Sequence, residues 1–291
     1  MNEALARLGI VFMRAIARLP LAWVRSIGAV LGWLLYLFAV SRRRVVDTNL
    51  RLCFPGQGVA RRGALVRSAF VHFAQAWIDR SWLWHGDPGK TLDRLRVAGA
   101  VDELAGTDPV ILFAPHFVGL DAGWTALTQQ LDRSFATIYT PQRNKVVDRW
   151  SQQGRSRFGR SRIFERRAGT RAIVSMVRSG QALYLLPDMN FGPQESVFVP
   201  FYGVPAATLT SLSRFSKLGR AKVVPVLTRM TPEGYAVEIL PAWRDFPGAD
   251  PVADAALMNQ RLEHYIDAMP DQYYWVHRRF KSRPPGAAPV Y

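Results

Sequence analysis

The sequence is poor in cysteine, in acidic residues and in low-complexity stretches, and each shortage removes a class of protein. Cys53 is its single cysteine, which excludes an internal disulfide, a CxxC metal or redox pair and a four-cysteine zinc site, and points to a reducing compartment. No Gly/Ser tract, proline-rich run or acidic block divides the 291 residues, and no period repeats along them. Linked modules, solenoids and propellers therefore drop out. There is no GxSxG elbow, no P-loop and no HExxH pair, and His72, His85, His264 and His277 do not pair at helical metal spacing. Covalent Ser or Cys chemistry thus has no visible candidate. Neither a metal nor a cofactor is expected.

What is present is a large apolar fraction and a surplus of cations. At 49% apolar residues the chain can bury a full core without staples, and intrinsic disorder is excluded. Its 38 Lys and Arg against 22 Asp and Glu give a net charge of +16, a field that attracts polyanions. Nucleic acid, an anionic membrane face and an acidic substrate all satisfy that field. Nine Trp and sixteen Phe among so many arginines suit a lipid interface as well as a base-stacking platform. No helix-turn-helix, zinc-finger, RNP or KH pattern accompanies them, so nucleic acid is not an expected partner.

Residues 1–45 read as a membrane anchor with an amphipathic lead-in, ahead of a single domain over 46–291. The run from Ser26 to Val40 carries no charge over fifteen residues, and as a helix it would cover roughly 22 Å, short for a bilayer span. Extension back to Leu19 takes in Arg25, whose stem would then have to snorkel to the headgroups. Arg42, Arg43 and Arg44 follow at once in place of a small-residue cleavage site, so the anchor is expected to stay attached. Trp23, Trp33 and Tyr36 near its ends resemble interface anchors. A buried core helix is the competing reading of residues 21–40.

Beyond the anchor, residues 60–85 show helical apolar spacing. Strand-type runs follow at Val110–Ala114, Phe135–Tyr139, Ala182–Leu186, Val197–Val199, Val223–Leu227 and Tyr235–Leu240. Helical patterns separate several of them, at 119–131, 145–157, 169–179, 207–218 and 252–268. Alternation of this kind predicts an α/β fold, a largely parallel mixed sheet flanked by helices. Ligands of such sheets bind beyond the carboxyl ends of the strands, which singles out Pro115-His116 after VILFA and Pro187-Asp188 after ALYLL.

His116 and Asp121 stand in an H-x-x-x-x-D spacing. With the strand ending at Ala114 and a helix starting near Gly119, the imidazole lies in the turn and the carboxylate in the first helical turn. That places them within reach of each other, as a general base and its orienting acid. Five histidines and 22 acidic residues give about 0.4 such matches by chance, so the spacing is weak by itself. Arg155, Arg157, Arg160 and Arg162 in GRSRFGRSR read as a solvated face. Arg278 and Arg279, interleaved with aromatics in YYWVHRRFKSRP, suit bidentate phosphate or headgroup contact.

Five ordered blocks, taken together, are more specific: RRRVVDTNLRLCFP at 42–55, APHFVGLD at 114–121, YTPQRNKVVDRWSQQGRSR at 139–157, LLPDMNFGPQESVFVPFYGVPAAT at 185–208 and PDQYYWVHRRFKSRPPG at 270–286. They cover nearly the whole chain, which resembles the bacterial lipid A late acyltransferases within the wider lysophospholipid acyltransferase superfamily. The resemblance implies transfer of a fatty acyl chain from acyl carrier protein to a hydroxyl of a phosphorylated glucosamine disaccharide lipid, at the cytoplasmic face of the bacterial inner membrane. Membrane lipids are implied as further partners. It implies His116 as general base with Asp121 as its orienter, no acyl-enzyme, and Arg155 and Asp188 in the active site. An acceptor of another kind, a phospholipid or a different glycolipid, is the alternative. Phe198, Phe201 and Tyr202 are candidates for an acyl groove, with core packing the better expectation. Met189-Asn190 departs from the Gln or His plus acidic residue common after the Asp of the P-D block.

Overall fold

The computed structural model describes residues 2–166 and 169–291. Four helices come first, α1 (Glu3–Ile16), α2 (Leu21–Phe38), α3 (Val40–Cys53) and the long α4 (Val59–His85). A short α5 (Pro88–Asp93) leads into β1 (Leu95–Gly99), β2 (Val110–Phe113), α6 (Leu120–Gln130), β3 (Phe135–Tyr139), α7 (Lys145–Arg155), β4 (Ser161–Glu165), α8 (Gly169–Arg178) and β5 (Ala182–Leu185). The chain continues through β6 (Ser196–Phe201), β7 (Val204–Leu209), α9 (Ser211–Gly219), β8 (Lys222–Thr231), β9 (Gly234–Ile239) and α10 (Pro251–Asp267).

Seven strands form one sheet in the order β1-β9-β8-β2-β5-β3-β4. All its pairs are parallel except the β8/β9 hairpin, as the alternation of strand and helix patterns predicts. The central strand β2 shows why the sheet needs helices on both faces. Ile111 and Phe113 enter one buried cluster, Val110 and Leu112 the other, and all four are fully buried. The two-residue period of a strand sends alternate side chains to opposite faces.

Helix starts follow local chemistry. Asn144 accepts from the amides of Val146 and Val147 at the start of α7, and Asp250, followed by Pro251, caps α10. Both satisfy amides that a helix leaves unpaired.

Three strands escape the sequence patterns. β1 and β4 lie at the two edges of the sheet and read LRVAG and SRIFE, half-exposed and partly charged, so their apolar signal is weak. β7 occupies residues 207–209 of the stretch expected to be helical, and pairs antiparallel with β6 in a separate two-stranded ribbon.

The apolar N-terminal helix is α2, interrupted at Ala39 and continued as α3, which runs through residue 45. It is not a core helix: Trp23 is 67% and Phe38 79% exposed. Arg25 does not reach for headgroups as expected. Its Nε lies 2.7 Å from Asp79 Oδ2 on α4, where the carboxylate is fully buried, and its terminal nitrogens reach the carbonyls of Thr231 and Gly234.

Candidate active site

The sheet order brings together residues that the sequence holds far apart. β2 and β5 are parallel neighbours, with Phe113 opposite Leu185. Three residues beyond each lie His116 and Asp188, both in the loops that leave the carboxyl ends of the strands. His116 Nδ1 is 2.7 Å from Asp188 Oδ1, and the His116 amide donates to Asp188 Oδ2 at 3.0 Å. The Tyr273 hydroxyl donates to the same Oδ2 at 3.0 Å.

Burial pushes the Asp188 carboxyl up. The charge of His116, the two hydrogen bonds from that residue and the one from Tyr273 outweigh it, and the group is held below the usual carboxylate range. A carboxylate on Nδ1 fixes the tautomer and leaves Nε2 as the basic nitrogen. Among the described residues Nε2 meets no hydrogen-bond partner, and the imidazole lines an open cleft of about 480 Å³.

The expected contact between His116 and Asp121 is not made. Asp121 does lie in the first turn of α6, but its oxygens turn to two guanidiniums. Arg155 Nε donates to Oδ1 at 2.9 Å and Arg80 Nε to Oδ2 at 2.8 Å. Burial raises the Asp121 carboxyl, yet the two arginines outweigh it and hold the group at about 2. The arginine side chains remain 24% and 23% exposed and line the same cleft as His116. Phe73, Trp77, Trp124, Trp150 and Tyr274 supply its apolar wall. A second cavity of about 600 Å³ adjoins it, sharing Ile138, Leu186 and Phe191.

Arg278 and Arg279 lie elsewhere. Arg279 is buried to 2% exposure and donates to the Ala207 carbonyl, Thr208 Oγ1 and Asn259 Oδ1. Its guanidinium therefore satisfies acceptors inside the fold. Arg278 is exposed, 5.8 Å from the Tyr291 ring centroid, and lines neither cavity. Consecutive residues in that irregular segment turn to opposite sides, which a run of basic letters does not reveal. Arg157 closes the end of α4 through the Leu83 and Gly86 carbonyls, and Arg160 forms an exposed pair with Asp132. Phe201 is core, Tyr202 hydrogen-bonds Asp267, and neither they nor Phe198 line either cavity.

The sequence reading passed over Arg80 and Tyr273. Arg80 is one polar position on a long amphipathic helix, with no local signal to mark it. Tyr273 stands in the block at 270–286, whose other members clamp the loop after Asp188. The Asn190 amide donates to His277 Nε2 at 3.0 Å and its side chain to the Arg279 carbonyl. Burial first, then the neighbouring His116 and Arg279, push His277 down to about 4, so it stands neutral as an acceptor at cellular pH. Asn190, where the block departs from the pattern, thus ties the Asp188 loop to the C-terminal segment. Among the described residues no group of three or more His, Cys, Asp or Glu is placed to hold a metal ion.

The sequence profile of a family described as bacterial lipid A biosynthesis acyltransferase matches residues 1–282. The chain belongs to that family. It is 30% identical to the lipid A biosynthesis lauroyltransferase of Escherichia coli strain K12, over 98% of this chain and 94% of that protein. It is 31% identical to the lipid A biosynthesis myristoyltransferase of the same organism, over 98% of this chain and 90% of that protein. The solved 1-acyl-sn-glycerophosphate acyltransferase PlsC of Thermotoga maritima overlaps with a TM-score of 0.41 at 10% identity, over 84% of this chain and 97% of that chain. In this member of the family the strand-end histidine and Asp121 fall on one cleft, and Asp188 is buried behind the imidazole.

Proposed function

We propose that this acyltransferase moves a fatty acyl chain from the thioester of acyl carrier protein to a hydroxyl of a phosphorylated glucosamine disaccharide lipid, at the cytoplasmic face of the bacterial inner membrane. The observation that carries the reading is the His116–Asp188 pair, 2.7 Å apart, at the edge of an open cleft.

His116 Nε2 takes the proton of the acceptor hydroxyl as its oxygen attacks the thioester carbonyl. The ester bond forms, the C–S bond breaks, and the departing thiolate recovers the proton from the imidazolium. Asp188 keeps its charge throughout and holds Nδ1–H, so that the cation is stabilised and the ring cannot turn. No acyl-enzyme is needed. Arg155 and Arg80 bring two positive charges to the cleft, one of them balanced by Asp121. The remaining positive charge and the start of α6 favour the anionic intermediate. Asp121 acts as a positioning residue for the two guanidiniums.

The test is an assay of purified full-length protein with acyl carrier protein thioester and an under-acylated lipid A precursor, read by mass spectrometry. The expected product is the precursor plus one acyl chain, with kcat lowered about 10²- to 10⁴-fold in His116→Ala. Acylation of a lysophospholipid with none of the lipid A precursor would overturn the acceptor. Undiminished turnover by His116→Ala would overturn the mechanism.

A further inference from the structure

The way α2 is mounted on the catalytic domain bears on how the enzyme meets its membrane. α2 is long and apolar enough to cross a bilayer by length and composition, and its eighteen residues would rise roughly 27 Å as a helix. Yet it is packed antiparallel along α4 in successive rungs. Arg25 pairs with Asp79. A Cβ on Gly28 would come within 2.6 Å of Gln75 Cα, and one on Gly32 within 2.6 Å of Val71 Cα, so the two backbones touch. The Tyr36 ring lies against Phe70. The other side of α4 presents Phe73, Trp77 and Arg80 to the catalytic cleft. A helix fastened in this way cannot enter the hydrocarbon alone; it would carry α4 and one wall of the water-facing cleft with it.

The outward side of the same helices has the opposite character. Trp23, Val30, Trp33, Leu34, Leu37 and Phe38 of α2 are exposed along one uncharged stripe. On α1, exposed Leu5, Leu8, Val11 and Phe12 form a stripe beside a second one that bears Arg14 and Arg7, the latter paired with Glu3, and exposed Arg18 follows in the turn after the helix. At 100° per residue, α1 thus has three faces: one buried, one apolar and open, one cationic. Arg14 and Arg18 have no acidic partner among the described residues, and exposed Arg42 and Arg44 follow the far end of α2. An apolar face rimmed by unpaired cations matches an anionic lipid surface, in which acyl chains lie beneath phosphates.

We propose that α1 and α2 form a monotopic platform. Their apolar stripes lie in one leaflet of an anionic phospholipid bilayer, the arginines sit at the phosphates, and α2 does not cross. The cleft, one helix diameter behind α2, is thereby held at the surface where a lipid acceptor resides.

Topology is read with Glu3→Cys, on the polar side of α1, and Ser41→Cys, made separately in the full chain, whose native Cys53 is buried. Each is challenged with a membrane-impermeant maleimide in intact spheroplasts and in inside-out vesicles. Both sites are expected to react from the same side, in inside-out vesicles. Reaction from opposite sides means a span and overturns the proposal. Labelling is read without turnover, so this placement and the acyl-transfer reading can fail separately.

Attachment is read with phosphatidylcholine vesicles, with and without about one quarter phosphatidylglycerol. Charge reversal at Arg14 and Arg18 together is expected to weaken binding to the anionic vesicles at least about tenfold and to leave the neutral ones unchanged. Leu37→Glu is expected to weaken both. Binding by these variants equal to that of the parent, or a stable dimer that binds neither vesicle, would overturn it.

Discussion

Asp188 carries His116 Nδ1, the His116 amide and the Tyr273 hydroxyl on its two oxygens. Asp121, also buried, sits between the guanidiniums of Arg80 and Arg155. Their substitutions should therefore fail in different ways. Asp188→Asn keeps the shape but loses the charge that holds the imidazole in its tautomer. The expected outcome is a kcat lowered about 10²- to 10⁴-fold, with a loss of stability smaller than that of Asp121→Asn, and an effect that does not multiply with that of His116→Ala, as expected of two groups proposed to act as one unit. Asp121→Asn leaves two partly buried cations facing each other. A stability loss of about 3 kcal/mol is expected in urea melts, since removal of one partner leaves uncompensated charge. A kcat effect in Asp121→Asn as large as in Asp188→Asn, without loss of stability, would return the orienting role to Asp121.

Among the elements, the α2/α4 pair departs furthest from its expected part. A long apolar helix with a single charge reads as an anchor that is free to leave the domain, yet Gly28 and Gly32 let it approach α4 until the backbones touch. Gly32→Leu places side-chain atoms where Val71 Cα and the Phe70 carbonyl already stand. The expected cost is about 1–3 kcal/mol, seen as a melting temperature lower by several degrees. Gly9 of α1 is the internal control, because nothing lies within 4 Å of a Cβ there and Gly9→Ala should be neutral or slightly stabilising. The helices α4, α6, α7 and α10 were legible in outline because each carries apolar residues at helical spacing over eleven residues or more. The edge strands β1 and β4 were not, because half of each faces solvent and carries charge.

For the whole molecule the dominant fact is a net charge of +16, which acid can only increase. Asp121 titrates at about 2 in the folded protein against an ordinary 3.8, and Asp188 is also held below its usual range. Both groups bind fewer protons folded than unfolded at mildly acidic pH. Their stabilisation is complete above the ordinary carboxylate value and is lost as pH falls toward 2. Asp121 contributes about 2 kcal/mol to that loss, and growing self-repulsion adds to it. His277, held at about 4 against an ordinary 6.5, already favours the unfolded chain as pH falls below about 6.5, so urea midpoints should decline from neutral pH downward and continue to fall below 4 as the two carboxylates protonate. A flat profile between pH 5 and 3 would contradict the burial and pairing of these two carboxylates.

The α/β class, the apolar N-terminal helix, the strand-end histidine and the family were legible in the sequence alone, because each is written in local periodicity or in contiguous blocks of residues. Only the tertiary structure decided the partner of His116. Asp121 is five residues away along the chain but heads a helix whose first turn faces Arg80 and Arg155. Asp188 is 72 residues away but lies three residues past the end of the strand beside β2. Which strands become neighbours depends on how helices pack over both faces of the sheet, and backbone hydrogen bonds between strands carry no residue code that a reader of the sequence could follow. The same holds for Arg25, whose snorkelling or pairing depends on whether a buried carboxylate waits on the next helix.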